Sequence, residues 1–217
     1  MANHYRCSSY IHDICSGSIL GGIIRTLTYF AATTIDGFVC GPDGSYDFFP
    51  FDADTTEFVT AEYPETLPTV VREQLGIAAA PNRHFDAVLQ GRGSYQIALD
   101  EQITSPYGHA HQYVYSRSLP TNVDPAVTVV DTDPLEHVRR LKQQPSPLGL
   151  CLLGGADIAG VLLPEIDELM IKRYPVIAGD GKPLFGTSFA PLGFRPSWSR
   201  TFDSGADYTL FRRVTPD

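Results

Sequence analysis

The stretch Cys151-Leu152-Leu153-Gly154-Gly155-Ala156-Asp157-Ile158 decides how the rest of the chain is read. An apolar run, a glycine pair and an immediate helix start describe a buried strand that turns straight into a helix. Backbone N–H groups at such a turn are available to a phosphate. The motif is neither the P-loop GxxxxGK[ST] nor the full dinucleotide fingerprint GxGxxG. A tight turn with no room for a side chain accounts for the glycines equally well. Asp157 suits the positive end of a helix but repels a phosphate set directly against it.

Two other segments end the same way. Ala87-Val88-Leu89-Gln90 reads as a short strand, followed by Gly91-Arg92-Gly93-Ser94-Tyr95. Gly91 and Gly93 allow close backbone approach, and Arg92 adds a permanently charged planar fork suited to phosphate. An ordinary turn is the competing explanation. The strand from Gln112 to Tyr115 closes on Ser116-Arg117-Ser118. Two hydroxyls and a guanidinium suit a ribose phosphate, and they equally suit a polar surface turn ahead of Pro120.

Around these three strand ends the remaining pattern is regular. Thr26 to Thr33 is β-branched and aromatic, as in a buried strand, and Asp36-Gly37 and Gly41-Pro42-Asp43-Gly44 punctuate a loop. Residues from Asp54 to Ile77 are expected to be helical with a break near Pro64 to Pro68. Val127 to Val130 and Glu168 to Tyr174 read as strands. Asp133-Pro134-Leu135-Glu136 opens a helix that should run to about Lys142. Ser197 to Phe202 and Tyr208 to Arg213, joined by Asp203-Ser204-Gly205-Ala206, read as a hairpin. The pattern predicts an α/β protein with a mostly parallel central sheet, helices on both faces and a C-terminal antiparallel hairpin. Its strand-to-helix turns fall at the carboxyl edge of the sheet, where such folds bind ligands. Residues 1–24 carry no sustained period and are expected to be a poorly ordered extension, leaving 25–217 as a single domain.

Composition narrows the function. Of 217 residues, 43% are hydrophobic and 19% charged, a globular balance. The net charge of −9 argues against a nucleic-acid surface but not against an anionic cofactor held by a few local arginines. Cys7, Cys15, Cys40 and Cys151 have no metal-site or redox-motif spacing, which suits reduced thiols in the cytoplasm. No apolar run approaches the ~20 residues of a membrane span, and 19–24 makes a poor signal peptide. The six histidines show no metal-ligand spacing, so no metal is expected.

Taken together in this order, the three strand-end motifs resemble the cofactor site of dihydrofolate reductases and of the riboflavin-pathway reductase known as the RibD C-terminal domain. Phe30 to Val39 is similar to that family's opening strand and the loop over its active site. Glu165 to Leu169 and Pro175 to Phe185 are similar to its late strand and glycine-rich loop. The resemblance implies a dihydrofolate-reductase-like three-layer sandwich that binds NADPH. It implies that Arg92 and Ser94, with Gly91 and Gly93 around them, hold cofactor phosphates, and that Ser116, Arg117 and Ser118 receive the adenosine 2′-phosphate. Gly154, Gly155, Ala156, Asp157 and Ile158 would lie against the pyrophosphate and nicotinamide ribose, and the Ala32 backbone against the carboxamide. Ala156 departs from the glycine often found at its position.

On the substrate side, Asp47, Asp52, Asp54 and Glu57 stand among Phe48, Phe49 and Phe51 with none singled out. Asp36, which a turn explains as well, is the one catalytic candidate that the resemblance offers, and Lys182 is a second group for the same pocket. The expected activity is hydride transfer to a small flat pterin or pyrimidine. The alternatives are reduction of the phosphorylated ribosylaminouracil of riboflavin synthesis, without the HxE…PCxxC pattern of a deaminase, and non-catalytic NADPH sensing. A homodimer is expected by resemblance, and neither a membrane nor a nucleic-acid partner.

Overall fold

Leu27 to Thr33 is buried at every position but Ala32, so this strand, β1, lies inside a sheet covered on both faces. The computed structural model describes residues 24–189 and 191–214. Its main sheet continues with β3 (Phe85–Gly91), β4 (His111–Tyr115), β5 (Val127–Val130), β6 (Gly149–Leu152), β7 (Glu168–Arg173), β9 (Phe194–Thr201) and β10 (Asp207–Arg213). The strands are ordered β5-β4-β3-β6-β1-β7-β10-β9, with only β10 and β9 antiparallel to their neighbours. A second, two-stranded sheet pairs β2 (Phe38–Cys40) with β8 (Lys182–Pro183).

Alternation along β1 separates the two cores. Leu27, Tyr29 and Ala31 join Leu150, Leu152 and the helices α4 (Pro134–Lys142) and α5 (Ala156–Leu162) through Val138, Leu141, Ala159 and Leu162. Phe30 faces the other way, into a cluster with Phe49, Cys151, Met170 and Tyr208 and with Val59 of α1 (Ala53–Glu62). Tyr95 of α3 (Arg92–Asp100) packs on Val114 of β4. These layers are the three-layer sandwich that the sequence pattern predicts.

The helical stretch breaks where its prolines require it. After α1 comes a 3-10 turn at Pro64–Thr66, and α2 (Thr69–Gln74) follows Pro68. Asp133 caps α4 by accepting from the Leu135 and Glu136 N–H groups, while Glu136 turns to Arg140 at 2.6 Å. Two features differ from the sequence reading. The hairpin begins earlier, at Phe194, because Pro196 lies on an edge strand where its missing N–H is harmless. The β2–β8 pair was not expected: its strands are too short to show a period, and they meet where a side chain on Gly181 would strike the Cys40 carbonyl oxygen.

Residues 1–23, most of the expected extension, lie outside the described residues, with Cys7, Cys15, His4 and His12 among them. Among the described residues no helix is long and apolar enough to cross a membrane. No group of three or more His, Cys, Asp or Glu side chains among them is placed to hold a metal.

At the amino edge of the sheet, Arg25 is almost wholly buried and donates to the Leu148 and Gly149 carbonyls at 2.8 and 3.1 Å and to Asp86. It ties the start of β1 to β3 and β6. Replacing it by methionine strands a carboxylate and two carbonyls, so Arg25→Met should lower stability by about 3 kcal/mol. Denaturant unfolding checks this, and ligand affinity at the opposite edge should be unchanged.

Candidate functional site

Three turns far apart in sequence become neighbours because β4, β3 and β6 are consecutive in the sheet, with β1 next in line. The chain places β3, β4 and β5 outward in turn, then returns to insert β6 between β3 and β1. This reversal leaves a crevice at the carboxyl ends of the strands. Gly91, Gly154 and Ser116 line it together with Ala32 of β1.

The glycines are explained by contact. The Gly91 N–H donates to the Gly154 carbonyl at 2.8 Å. A β-carbon on Gly91 would lie 3.0 Å from the Ile158 side chain, and one on Gly154 would lie 2.9 Å from Ser94 Oγ. Gly154 also has φ +116°, which side chains rarely tolerate, and its peptide bond to Gly155 is cis. A β-carbon on Gly155 would lie 3.3 Å from the same Ser94 Oγ. The first turns of α3 and α5 therefore abut at the floor of one cleft.

Arg92, in the first turn of α3, lines that cleft and carries a buried guanidinium nitrogen, Nη1, with no hydrogen-bond partner among the described residues. A buried donor without an acceptor is costly. An anion in the cleft would satisfy it, and Arg92, Ser94 and the unpaired N–H groups around Gly93 fit a phosphate. Arg117 and Ser118 are exposed at the cleft rim. Ser116 is buried, and its Oγ accepts from the Ser118 and Leu119 N–H groups at 3.2 and 3.0 Å. It builds the turn that presents Arg117. Asp157 is exposed, with Oδ1 close to the Gly186 backbone, while Ala156 and Ile158 are buried against the fold.

The cleft has a volume of roughly 1660 Å³. Single small-molecule pockets run to about 1,000 Å³, so there is room for a dinucleotide and a second ligand. Beyond the turns its wall becomes aromatic, with Phe30, Phe49, Phe51 and Tyr107, and Phe51 is 90% exposed.

The expected substrate-side carboxylates are not in this wall. Asp47, Asp52, Asp54 and Glu57 do not line the cleft. Asp54 accepts from the Thr55 and Ser204 N–H groups and ties α1 to the hairpin loop. Asp36 also lies outside the cleft lining. Its carboxylate accepts from Thr34 Oγ1 at 2.6 Å and from the Ala178 and Gly179 N–H groups at 3.2 and 2.8 Å. Those bonds, the Thr34 hydroxyl first, hold its pKa down at about 2. As placed, Asp36 is an ionised anchor for the late loop, and an acid of that strength is a poor proton donor near neutrality. Lys182 is exposed on that loop but reaches the cleft margin.

Lys172 is the cleft residue that sequence reasoning missed. Its Nζ lies 4.9 Å from the centre of the Phe30 ring, within the aromatic end. Desolvation lowers its pKa to about 8. The signal was present, since the period of two in β7 puts Lys172 on the same face as buried Met170.

No protein-family profile matches the chain. It is similar to two uncharacterized proteins of Bacillus subtilis strain 168. One is YyaP, 25% identical over 196 residues that make up 83% of this chain and 91% of YyaP. The other is YwjB, 27% identical over 166 residues, 74% of this chain and 83% of YwjB. Among solved structures it is similar to a protein ascribed to riboflavin biosynthesis in Shewanella sp. PV-4. That match has a TM-score of 0.63 and 21% identity, covering 88% of this chain and 99% of that one. A second is the diaminohydroxyphosphoribosylaminopyrimidine deaminase/5-amino-6-(5-phosphoribosylamino)uracil reductase of Thermotoga maritima, with a TM-score of 0.58 and 17% identity. There the match covers 88% of this chain and 57% of that bifunctional protein. These likenesses establish the fold of the riboflavin-pathway reductases for this chain.

Two outcomes test the site's construction. Gly91→Ala puts a methyl group against Ile158 and should cost about 1–3 kcal/mol in thermal or denaturant unfolding. For Asp36 the folded pKa lies below the usual carboxylate range, so its contribution is complete above pH ~4 and lost as pH falls through about 2. The Ala178 and Gly179 amide signals in NMR should titrate with that low midpoint, and Asp36→Asn should abolish the transition.

Proposed function

We propose that this protein is an NADPH-dependent reductase acting on a small, flat heterocycle of the pterin or pyrimidine type. The observation that carries the reading is Arg92, whose buried Nη1 has no acceptor among the described residues, in a cleft with space for two ligands. In this reading Arg92 and Ser94 hold phosphate, with Gly91, Gly93 and the turn from Gly154 to Ile158 giving the backbone a close approach. Ser116 shapes the rim turn, and Arg117 with Ser118 meets the adenosine 2′-phosphate. Ala32 borders the carboxamide. A bound NADPH supplies the hydride, and the chain orients the acceptor ring and excludes water. The aromatic end of the cleft is a suitable surface for a flat ring.

The fold likeness favours one narrower version, reduction of the phosphorylated ribosylaminouracil of riboflavin synthesis. That substrate needs a second phosphate site, and Lys182 at the cleft margin is a candidate for it. A non-catalytic NADPH sensor is the remaining reading. Fold alone does not separate sensor from enzyme.

Fluorescence titration tests the cofactor. NADPH should bind more tightly than NADH, because its extra phosphate adds charge-assisted contacts. Arg92→Ala should weaken both cofactors by about ten- to a hundredfold. Arg117→Ala should weaken NADPH by about tenfold and leave NADH nearly unchanged, since the exposed arginine meets only the added phosphate. Equal affinity for the two cofactors, with no loss in either variant, would sink the reading. NADPH binding without oxidation across pterins, pyrimidines and quinones would favour the sensor.

A further inference from the structure

The chain has only three lysines, and the structure uses them differently. Lys142 is neutralised at the sheet's amino edge by Asp167 at 2.7 Å and Glu165 at 3.8 Å. Lys182 is exposed on the late loop. Lys172 enters the aromatic end of the cleft, and among the described residues no carboxylate lies within ion-pair distance of its Nζ. Nor does it hydrogen-bond to any described side chain or carbonyl. Its nearest compensation is the face of Phe30 at 4.9 Å, a weak substitute for a counterion.

The titratable groups nearest Lys172 do not supply a negative charge, and the buried Glu65 carboxylate, which acts on Cys151, accepts from the His84 and Phe85 N–H groups and forms no ion pair with Lys172. Cys151 approaches from β6, Tyr208 lies opposite in register on β10, and Tyr107 shares the cleft. Burial pushes all three upward, so each is neutral at pH 7. Lys172 itself, lowered only to about 8, is still mostly an ammonium there. The cleft thus holds an uncompensated cation at its aromatic end, separate from Arg92 at its glycine-rich end.

We propose that Lys172 is the substrate-recognising cation of this cleft, taking an anionic oxygen of a flat heterocycle and rejecting heterocycles that bind as cations. This rests on the cleft being a site for flat heterocycles and adds the sign of the charge it selects. A substrate oxygen carrying negative charge completes the coordination that the protein withholds from Lys172. A protonated ring would instead place like charges together in a poorly solvated wall, which is strongly disfavoured.

Three lysines make the test direct. Reductive methylation with ¹³C-formaldehyde gives one dimethyl-lysine NMR signal per lysine, and Lys172→Arg assigns the one of interest. The probes are orotate, uracil and 2,4-diaminopyrimidine, at a slightly acidic pH where they are anionic, neutral and cationic rings of similar size. Orotate should move the Lys172 signal saturably, and diaminopyrimidine should not. On the unmodified protein, Lys172→Met should weaken orotate by at least about tenfold while changing uracil little. If Lys172→Met fails to fold, the signal in the wild-type chain decides. A Lys172 signal that ignores orotate, or responds equally to all three rings, overturns the proposal.

NADPH titration of the same samples separates the two readings. NADPH binding with a silent Lys172 removes this inference and leaves the reductase. A Lys172 that takes orotate in a protein indifferent to NADPH removes the reductase and leaves an anion-selective heterocycle site.

Discussion

The site depends on one close contact, the meeting of the β3 and β6 strand ends through the Gly91 N–H and the Gly154 carbonyl at 2.8 Å. Neither partner has room for a β-carbon, with Ile158 against Gly91 and Ser94 against Gly154. Because the strands touch there, the first turn of α3 and the first turn of α5 share one floor. A side chain at either glycine would separate the two turns and divide the cleft. The glycines are thus needed for packing whatever the ligand is, and ligand access is a consequence of that packing. The choice between tight turn and phosphate cradle was never exclusive.

The cleft lining is mixed in charge, with Arg92, Arg117, Lys172 and Lys182 standing among Asp43, Asp100, Glu101, Asp131, Asp133 and Asp157. Among the described residues, Arg92 keeps an unpartnered nitrogen and Lys172 has no acidic partner within ion-pair distance. Of the buried cations elsewhere, Arg25 is matched by Asp86 and two carbonyls and Lys142 by Asp167, whereas Arg72 donates to the Ala78 and Ala80 carbonyls and leaves its own Nη1 without a partner among the described residues. What sets Arg92 and Lys172 apart from Arg72 is that they line the cleft, where an anionic guest can reach them.

The fold was legible because it is written in local signals. Strand period, proline breaks and glycine turns located β1, β3 to β7 and the division of α1 from α2, and Asp133 marked the start of α4. The β2–β8 pair escaped because three residues and two residues carry no period, and its specification is a contact between Gly181 and Cys40 from opposite ends of the chain. The cofactor-side turns were legible for the same reason as the fold: they are punctuation at strand ends. Their adjacency was not, because it needs the strand order, and order is settled by long-range packing.

The substrate side shows where reading by residue type fails. Of the four carboxylates near the first helix, none of which the sequence singles out, Asp54 is engaged by the Ser204 N–H, and Asp36, the candidate that the resemblance offers, is engaged by the late loop. Both are acidic groups whose oxygens already accept hydrogen bonds, Asp36 from the Thr34 hydroxyl and two backbone N–H groups and Asp54 from backbone N–H groups, the arrangement that lowers a carboxylate's pKa. The informative group is the opposite case, a polar atom that local structure leaves without a partner. Lys172, half-buried and without an ion-pair partner among the described residues, is such a group, in a strand whose alternation turns it inward beside Met170. A charged residue at an inward position of a buried strand conflicts with the local rules for that strand. Where such a conflict also opens onto a cleft, as at Lys172, it marks the residue as a functional candidate.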